Sequence, residues 1–136
     1  MTESILTDQD FIEQFELCTL NPENFNHTGH IRLAWLYLQQ NEENIAVEKV
    51  IKGIQAYAHS LGAKNKFHKT ITHSLVKLIA IREHCNASAS WQVFNQKNQD
   101  LVQDSIAVLL QYYDKSTLFS ELARTELVQP DLKNIS

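Results

Sequence analysis

The sequence predicts a single all-α domain, and three observations support this fold class. The chain has 136 residues, 43% of them hydrophobic, which suffices for one core but not for two ordinary domains. Only three glycines and two prolines occur, so the tight turns of β-sandwiches and barrels are scarce. Apolar residues also recur at helical spacing in most segments. We therefore expect one bundle of five or six helices with mainly up-down connections over residues 1–136, ending in a polar tail from about residue 129.

Capping residues and apolar spacing predict the first two helices. Thr7 begins a capping-box pattern ahead of phenylalanines at helical spacing, which predicts helix one over about residues 8–19. The asparagine-rich stretch around Pro22 has the composition of a loop. Asn26 can cap the long apolar run that follows, so helix two is expected over about residues 27–39.

The next two helices are longer. A polar stretch beginning at Asn41 restarts the chain, and the broad apolar stripe after it stops at Gly62, which is a suitable C-cap. Asn65 can cap a fourth helix that extends to about residue 84. A small polar loop over 86–90 then separates this helix from the next one.

The C-terminal half is predicted to contain shorter helices. Residues 91–113 favour a fifth helix with a possible break at 95–98. Ser120 can cap a short helical turn. A last helix is expected over 122–128, and Pro130 stops it before the polar tail.

Composition argues against several classes of partner. The formal net charge is -4 and no stripe of lysine or arginine is present, so we do not expect nucleic acid binding. The apolar runs are much shorter than the roughly 20 residues of a membrane span, so no membrane insertion is expected. Cys18 and Cys85 form no CxxC motif, and the acidic N-terminus does not resemble a signal peptide. These features favour a cytoplasmic location.

Three histidines form the principal candidate site. His27 and His30 lie three residues apart at the start of helix two, and His68 lies at the start of helix four. Short connections favour antiparallel neighbours, so helices two and four should begin at the same end of the bundle. Helix five, running in the opposite direction, should deliver Tyr113 to that end. The predicted catalytic residues are His27, His30, His68, Tyr113 and Arg124.

The chemistry of such a site is open. Three neutral imidazoles suit a divalent metal such as zinc, iron, manganese or nickel, held by His27, His30 and His68. A neutral imidazole can also act as a general base on a small polar molecule. Backbone N–H groups at two helix starts can instead bind a carboxylate or phosphate, helped by Arg124. The leading hypothesis is a small cytoplasmic enzyme that acts on a small polar or anionic molecule.

Two non-catalytic interpretations stand beside the enzyme. In one, the chain is a ligand-binding or protein-interaction module whose apolar surface includes Trp91, Phe94 or Phe119. In the other, the histidines are purely structural and hydrogen-bond carbonyl groups at helix ends. A homodimer through helix five is compatible with the sequence but has no positive signal in it. His73 is expected to be a partly exposed or hydrogen-bonded residue, with support of the site from behind as the alternative.

Three segments together carry a pattern of aromatic, histidine, arginine and acidic residues. They are FNHTGHIRLAWLYL at 25–38, FHKTITH at 67–73, and YYDKSTLFSELARTELVQPDL at 112–132. By this pattern the chain resembles, over most of its length, a family of small bacterial helical proteins to which no activity is assigned. The matching positions are Phe25, His27, His30, Arg32, Ala34, His68, Thr70, Thr72, Tyr113, Ser120, Ala123, Arg124, Pro130 and Asp131. In that family an acidic residue often follows the third histidine, where this chain has Lys69, so any role of that carboxylate is lost or relocated here.

Overall fold

The computed structural model describes residues 6–63 and 66–135, and it confirms the all-α prediction. These two stretches contain nine α-helices and no strand, and Pro22–Asn24 forms a 3-10 turn. The helices are α1 (Asp8–Glu16), α2 (His27–Gln40), α3 (Glu43–Ser60), α4 (Lys69–Cys85), α5 (Trp91–Lys97), α6 (Gln99–Gln103), α7 (Ser105–Leu109), α8 (Lys115–Leu118) and α9 (Glu121–Thr125). The predicted cap Asn65 lies outside the described residues.

The helix count exceeds the prediction because the segment expected as helix five is three short helices. Asn98 ends α5, and its side-chain amide donates to the carbonyl of Phe94 at 2.9 Å. Asp104 then caps α7 by accepting a hydrogen bond from the backbone N–H of Ala107 at 3.1 Å. Each of these polar side chains offers the backbone an alternative to continuous helical bonding.

Helices α2, α3 and α4 pack against one another and form the centre of the bundle. His30 and Thr72 line one small cavity, and Trp35 donates to Glu83 at 3.1 Å further along both helices, so α2 and α4 run in the same direction. Helix α3 runs the opposite way. The predicted chain direction is therefore correct, and α2 and α4 begin at the same end.

Helix α1 is docked against α2 and α3 by one close approach and one buried arginine. A Cβ atom at Gly53 would lie 2.5 Å from the ring of Phe15, so α1 can pack this closely only on glycine. Arg32 is buried, pairs with Asp8 at 2.8 Å, and lies over the ring of Phe11 at 4.6 Å. These contacts hold the N-terminal helix in place.

The C-terminal segment, residues 126–135, is attached to α4 by hydrogen bonds. The hydroxyl of Thr70 donates to the carbonyl of Glu126 at 2.7 Å and accepts from the backbone N–H of Val128 at 3.0 Å. The hydroxyl of Tyr113 donates to the carbonyl of Val128 at 2.6 Å. Backbone that would otherwise remain unpaired is thereby fixed against the core.

The polar C-terminal segment is bonded to the rest of the chain. Asp131 accepts hydrogen bonds from the backbone N–H of Asp114 at 2.9 Å and from the hydroxyl of Thr117 at 2.7 Å. Ile135 is buried with 6% of its surface exposed. Polar composition concealed this docking because the contacts use carboxylate and backbone groups rather than an apolar stripe.

Replacing Thr70 with valine tests the attachment of the C-terminal segment. Valine keeps the shape but leaves one N–H and one carbonyl without a partner, so we expect a loss of about 1–2 kcal/mol in the free energy of unfolding. Urea denaturation measures this loss. Thr19→Val removes only an exposed hydroxyl bond and should cost much less. Equal losses in the two variants would contradict the proposed role of Thr70.

Candidate functional site

The three predicted histidines lie at the starts of α2 and α4, at one end of the bundle. Each ring is nevertheless bonded to a different backbone carbonyl. His27 is bonded through Nε2 to Leu101 at 3.2 Å, and His68 through Nε2 to Leu118 at 2.9 Å. The Nδ1 atom of His30 is bonded to the carbonyl of Asn26 at 2.8 Å. Among the described residues, no group of three or more His, Cys, Asp or Glu side chains could hold a metal ion. The predicted metal triad of His27, His30 and His68 is thus not assembled.

His68 serves as the N-cap of α4. Its Nδ1 atom accepts a hydrogen bond from the backbone N–H of Ile71 at 3.1 Å, while Nε2–H donates to Leu118. This pair of bonds requires the neutral ring with the proton on Nε2. Burial lowers the pKa of His68, the bond to Leu118 opposes that shift, and the charge of Arg124 adds to it. Both nitrogens of this histidine are therefore committed to holding the fold.

Tyr113 and Arg124 are the two remaining predicted catalytic residues. Tyr113 is buried with 1% of its surface exposed, and its hydroxyl bonds Val128 and Ser74, which is 3.1 Å away on α4. Burial raises the pKa of Tyr113, so its proton stays in place at neutral pH. Arg124 forms an ion pair with Glu121 on α9. The structure brings only Arg124 near one of the histidines, His68.

His30 lines a largely apolar pocket. The pocket lies between α2, α3 and the residues that flank α4, and has a volume of about 180 Å³. The ring of His30 stacks on Phe25 with centroids 4.0 Å apart and planes 23° apart. We call this the His30 pocket. Its described walls are Pro22, Phe25, His30, Ile54, Tyr57, Ala58, Leu61, Ala63, Lys66 and Phe67.

The fold fixes the protonation state of His30. Because Nδ1 faces a carbonyl oxygen, it carries the ring proton, and Nε2 is left as an acceptor. Burial lowers the pKa of His30 below its ordinary value of 6.5, the bond to Asn26 opposes the shift, and His27 adds to it. Nε2 makes no hydrogen bond with the described residues. The ring of His30, which lines the pocket, therefore carries one neutral acceptor nitrogen without a partner among the described residues.

The other polar groups around the His30 pocket do not form a catalytic set with it. Tyr57 donates its hydroxyl to the carbonyl of Leu20 at 2.7 Å, and burial raises its pKa. Lys66 is exposed at the rim. The remaining described walls are apolar side chains. Neither Tyr57 nor Lys66 makes a hydrogen bond with His30 among the described contacts.

A glycine allows the loop before α2 to form one wall of the His30 pocket. A Cβ atom at Gly29 would lie 2.6 Å from the carbonyl oxygen of Asn24, so a side chain there would push the loop away. Phe25 is consequently held against His30 and Tyr57, whose ring centroid is 4.9 Å away. The sequence analysis predicted a polar pocket. Phe25, the aromatic residue before the histidines, was the overlooked indication of an apolar pocket.

The surface proposed for protein interaction is only partly present. Trp91 and Phe94 are buried with 6% and 0% of their surfaces exposed, and they pack with Trp35 in the core. The prediction that these two form a docking surface is wrong, because the short helix α5 turns both rings inward. Phe119 is exposed at 49%.

The chain was compared with protein-family models, curated proteins and solved structures, and no match was found. No helix in the described stretches is both long and apolar enough to cross a membrane. The family resemblance stays a prediction. The function therefore rests on the geometry of the pockets.

Replacing His68 tests its structural role. His68→Ala removes the cap of α4 and the bond to Leu118, so the free energy of unfolding should fall by about 1–2 kcal/mol. His68→Asn keeps a capping acceptor and should lose less. Chemical denaturation at pH 7 measures both, with His59→Ala, an exposed position, as the control. A His68→Ala variant as stable as the parent chain would contradict the capping role.

The protein should lose stability in mild acid. The pKa values of His30, His68 and His73 are all lowered, mainly by burial. As the pH falls through the ordinary pKa of 6.5, these histidines take up protons in the unfolded chain before they do so in the folded protein. The free energy of unfolding therefore decreases as the pH is lowered, until the pH is below the pKa values of the folded protein. Urea titrations between pH 7.5 and pH 5 measure the slope. A stability that stays constant or rises toward acid would refute this prediction.

Proposed function

We propose that the chain is a non-catalytic binding module for a small, largely apolar molecule that carries one hydrogen-bond donor. The observation that carries this proposal is the unpaired Nε2 of His30 on the wall of an apolar pocket. A polar atom of a pocket-lining residue that has no partner among the described residues is a candidate contact for a ligand. Phenols and small alcohols have the matching chemistry.

The size of the His30 pocket fits a single ring. Its volume of about 180 Å³ compares with cavities of ~150 Å³ that bind benzene when they are lined by apolar side chains. Phe25, Tyr57 and Phe67 supply aromatic surface around such a ring. A hydroxyl on the ligand would donate to Nε2 of His30, while the ring is buried among these side chains.

Binding is a better match to the site than catalysis. His27 and His68 are committed to backbone carbonyls, and Tyr113 is bonded within the core, so none of them joins His30. A single neutral imidazole without a positioned nucleophile or acid gives specificity rather than a reaction. The sequence-based hypothesis expected a polar or anionic substrate. The proposed ligand is instead a largely apolar molecule with one hydrogen-bond donor.

Phenol and its methyl ether, anisole, form a matched pair of probes for the His30 pocket. Phenol should bind and shift the amide resonances of Gly62, Ala63 and Phe67 in two-dimensional NMR spectra, because these residues line or flank the pocket. Anisole has the same ring but no donor, so its affinity should be about tenfold lower, the effect of losing one hydrogen bond of ~1.4 kcal/mol. Equal affinity for both probes would overturn the assignment of the acceptor.

A substitution at His30 completes the test. His30→Phe keeps an aromatic ring beside Phe25 but removes Nε2, so phenol should lose its advantage over anisole. His27→Phe is the matched control, because His27 lies three residues away and lines no part of the His30 pocket. Binding of phenol should also lower the pKa of His30 further, since the donor favours the neutral ring. An unchanged preference in His30→Phe would place the ligand elsewhere.

A further inference from the structure

A second cavity, unrelated to the His30 pocket, lies between α4 and the C-terminal segment. It has a volume of about 420 Å³. We call it the Lys77 cleft. Leu127, Pro130 and Ile135 give it apolar walls, and Gln129 and Asn134 add side-chain amides. No sequence motif indicated this cavity, because the C-terminal segment was predicted only as a polar tail.

The floor of the Lys77 cleft is a completed hydrogen-bond chain. The hydroxyl of Tyr113 donates to the carbonyl of Val128, so it accepts from the hydroxyl of Ser74. This arrangement leaves the buried floor without an unpaired donor. A ligand would therefore be recognised at the walls and the rim rather than at the floor.

Lys77 is the only lysine on the described lining of the cleft, which has no described arginine, aspartate or glutamate. Its ion-pair partner is Glu43 on α3, at 3.9 Å, and the two side chains are 42% and 46% exposed. A pair this long and this exposed contributes little. The ammonium group of Lys77 can thus donate to a closer anion at ~2.8 Å, and the loss of the ion pair with Glu43 costs little free energy.

His73 lies beside Lys77, four residues earlier and therefore on the same face of α4. Neither of its ring nitrogens bonds a described residue. Burial lowers the pKa of His73, the charges of Lys77 and Lys69 act in the same direction, and Glu43 opposes them. A neutral ring can still donate one N–H to an anion that Lys77 holds.

We infer that the Lys77 cleft binds a small organic carboxylate, with its carboxylate on Lys77 and His73 and its apolar body against Leu127, Pro130 and Ile135. The apolar walls favour an organic anion over an inorganic one. Both residues also line an open groove between α3 and α4, where Lys52 and Lys69 are accompanied by Glu48 and Glu43. Those carboxylates make the groove the weaker anion site.

Benzoate is a suitable probe, and benzamide is its neutral counterpart. Benzoate should shift the side-chain amide resonances of Gln129 and Asn134, which lie in the cleft. Benzamide and inorganic phosphate should bind at least tenfold more weakly, since one lacks the charge and the other lacks the apolar body. Benzamide or phosphate binding as well as benzoate would overturn the proposal, as would an absence of shifts at millimolar benzoate.

Lysine variants locate the anion. Lys77→Met should reduce the affinity for benzoate at least tenfold, and Lys77→Arg should retain most of it. Lys115→Met, at an exposed position outside both cavities, is the control and should change nothing. A loss in Lys69→Met but not in Lys77→Met would move the anion to the outer groove and refute the cleft. His30→Phe should bind benzoate normally, which separates this site from the His30 pocket.

Discussion

The arrangement of this bundle depends on pairing the backbone groups of its short C-terminal helices. Helices of four to seven residues leave many carbonyls and amides without internal partners, and polar side chains from α2 and α4 supply those partners. His27 bonds Leu101, His68 bonds Leu118, and Thr70 bonds two groups of the C-terminal segment. The long helices thus hold the short ones by hydrogen bonds as well as by apolar packing.

This requirement gives the histidines of the sequence pattern a structural role that the pattern itself did not reveal. A histidine at a helix start can bind a metal, take up a proton, or cap a backbone, and its position in the sequence is the same in each case. Arg32, Tyr113 and Asp131 likewise belong to the quoted family pattern and form structural bonds. Residue type indicated that these positions matter, and only the partners reveal that they hold the fold.

The long helices were predictable and the site was not, for physical reasons that differ. Caps at Thr7 and Asn26 and the αL glycine at Gly62, with φ of 70°, mark helix ends locally, so the sequence contains them. Helix direction was also inferred correctly from short connections. The sequence did not reveal which side of α2 each histidine occupies. His27 and His30 are offset by about 60° around α2, so His27 faces α6 and His30 faces α3.

His30 is the exception within this scheme, and the exception has a consequence for binding. The fold pairs Nδ1 and leaves Nε2 as an acceptor in an apolar pocket, so the ring is set in one tautomer before any ligand arrives. No reorganisation is then needed on binding, which reduces its cost. Because burial already disfavours the charged ring, a donor on Nε2 and a proton on Nε2 exclude each other. Acid and ligand therefore compete for a single atom, and this competition follows from the bond to Asn26 rather than from any motif in the sequence.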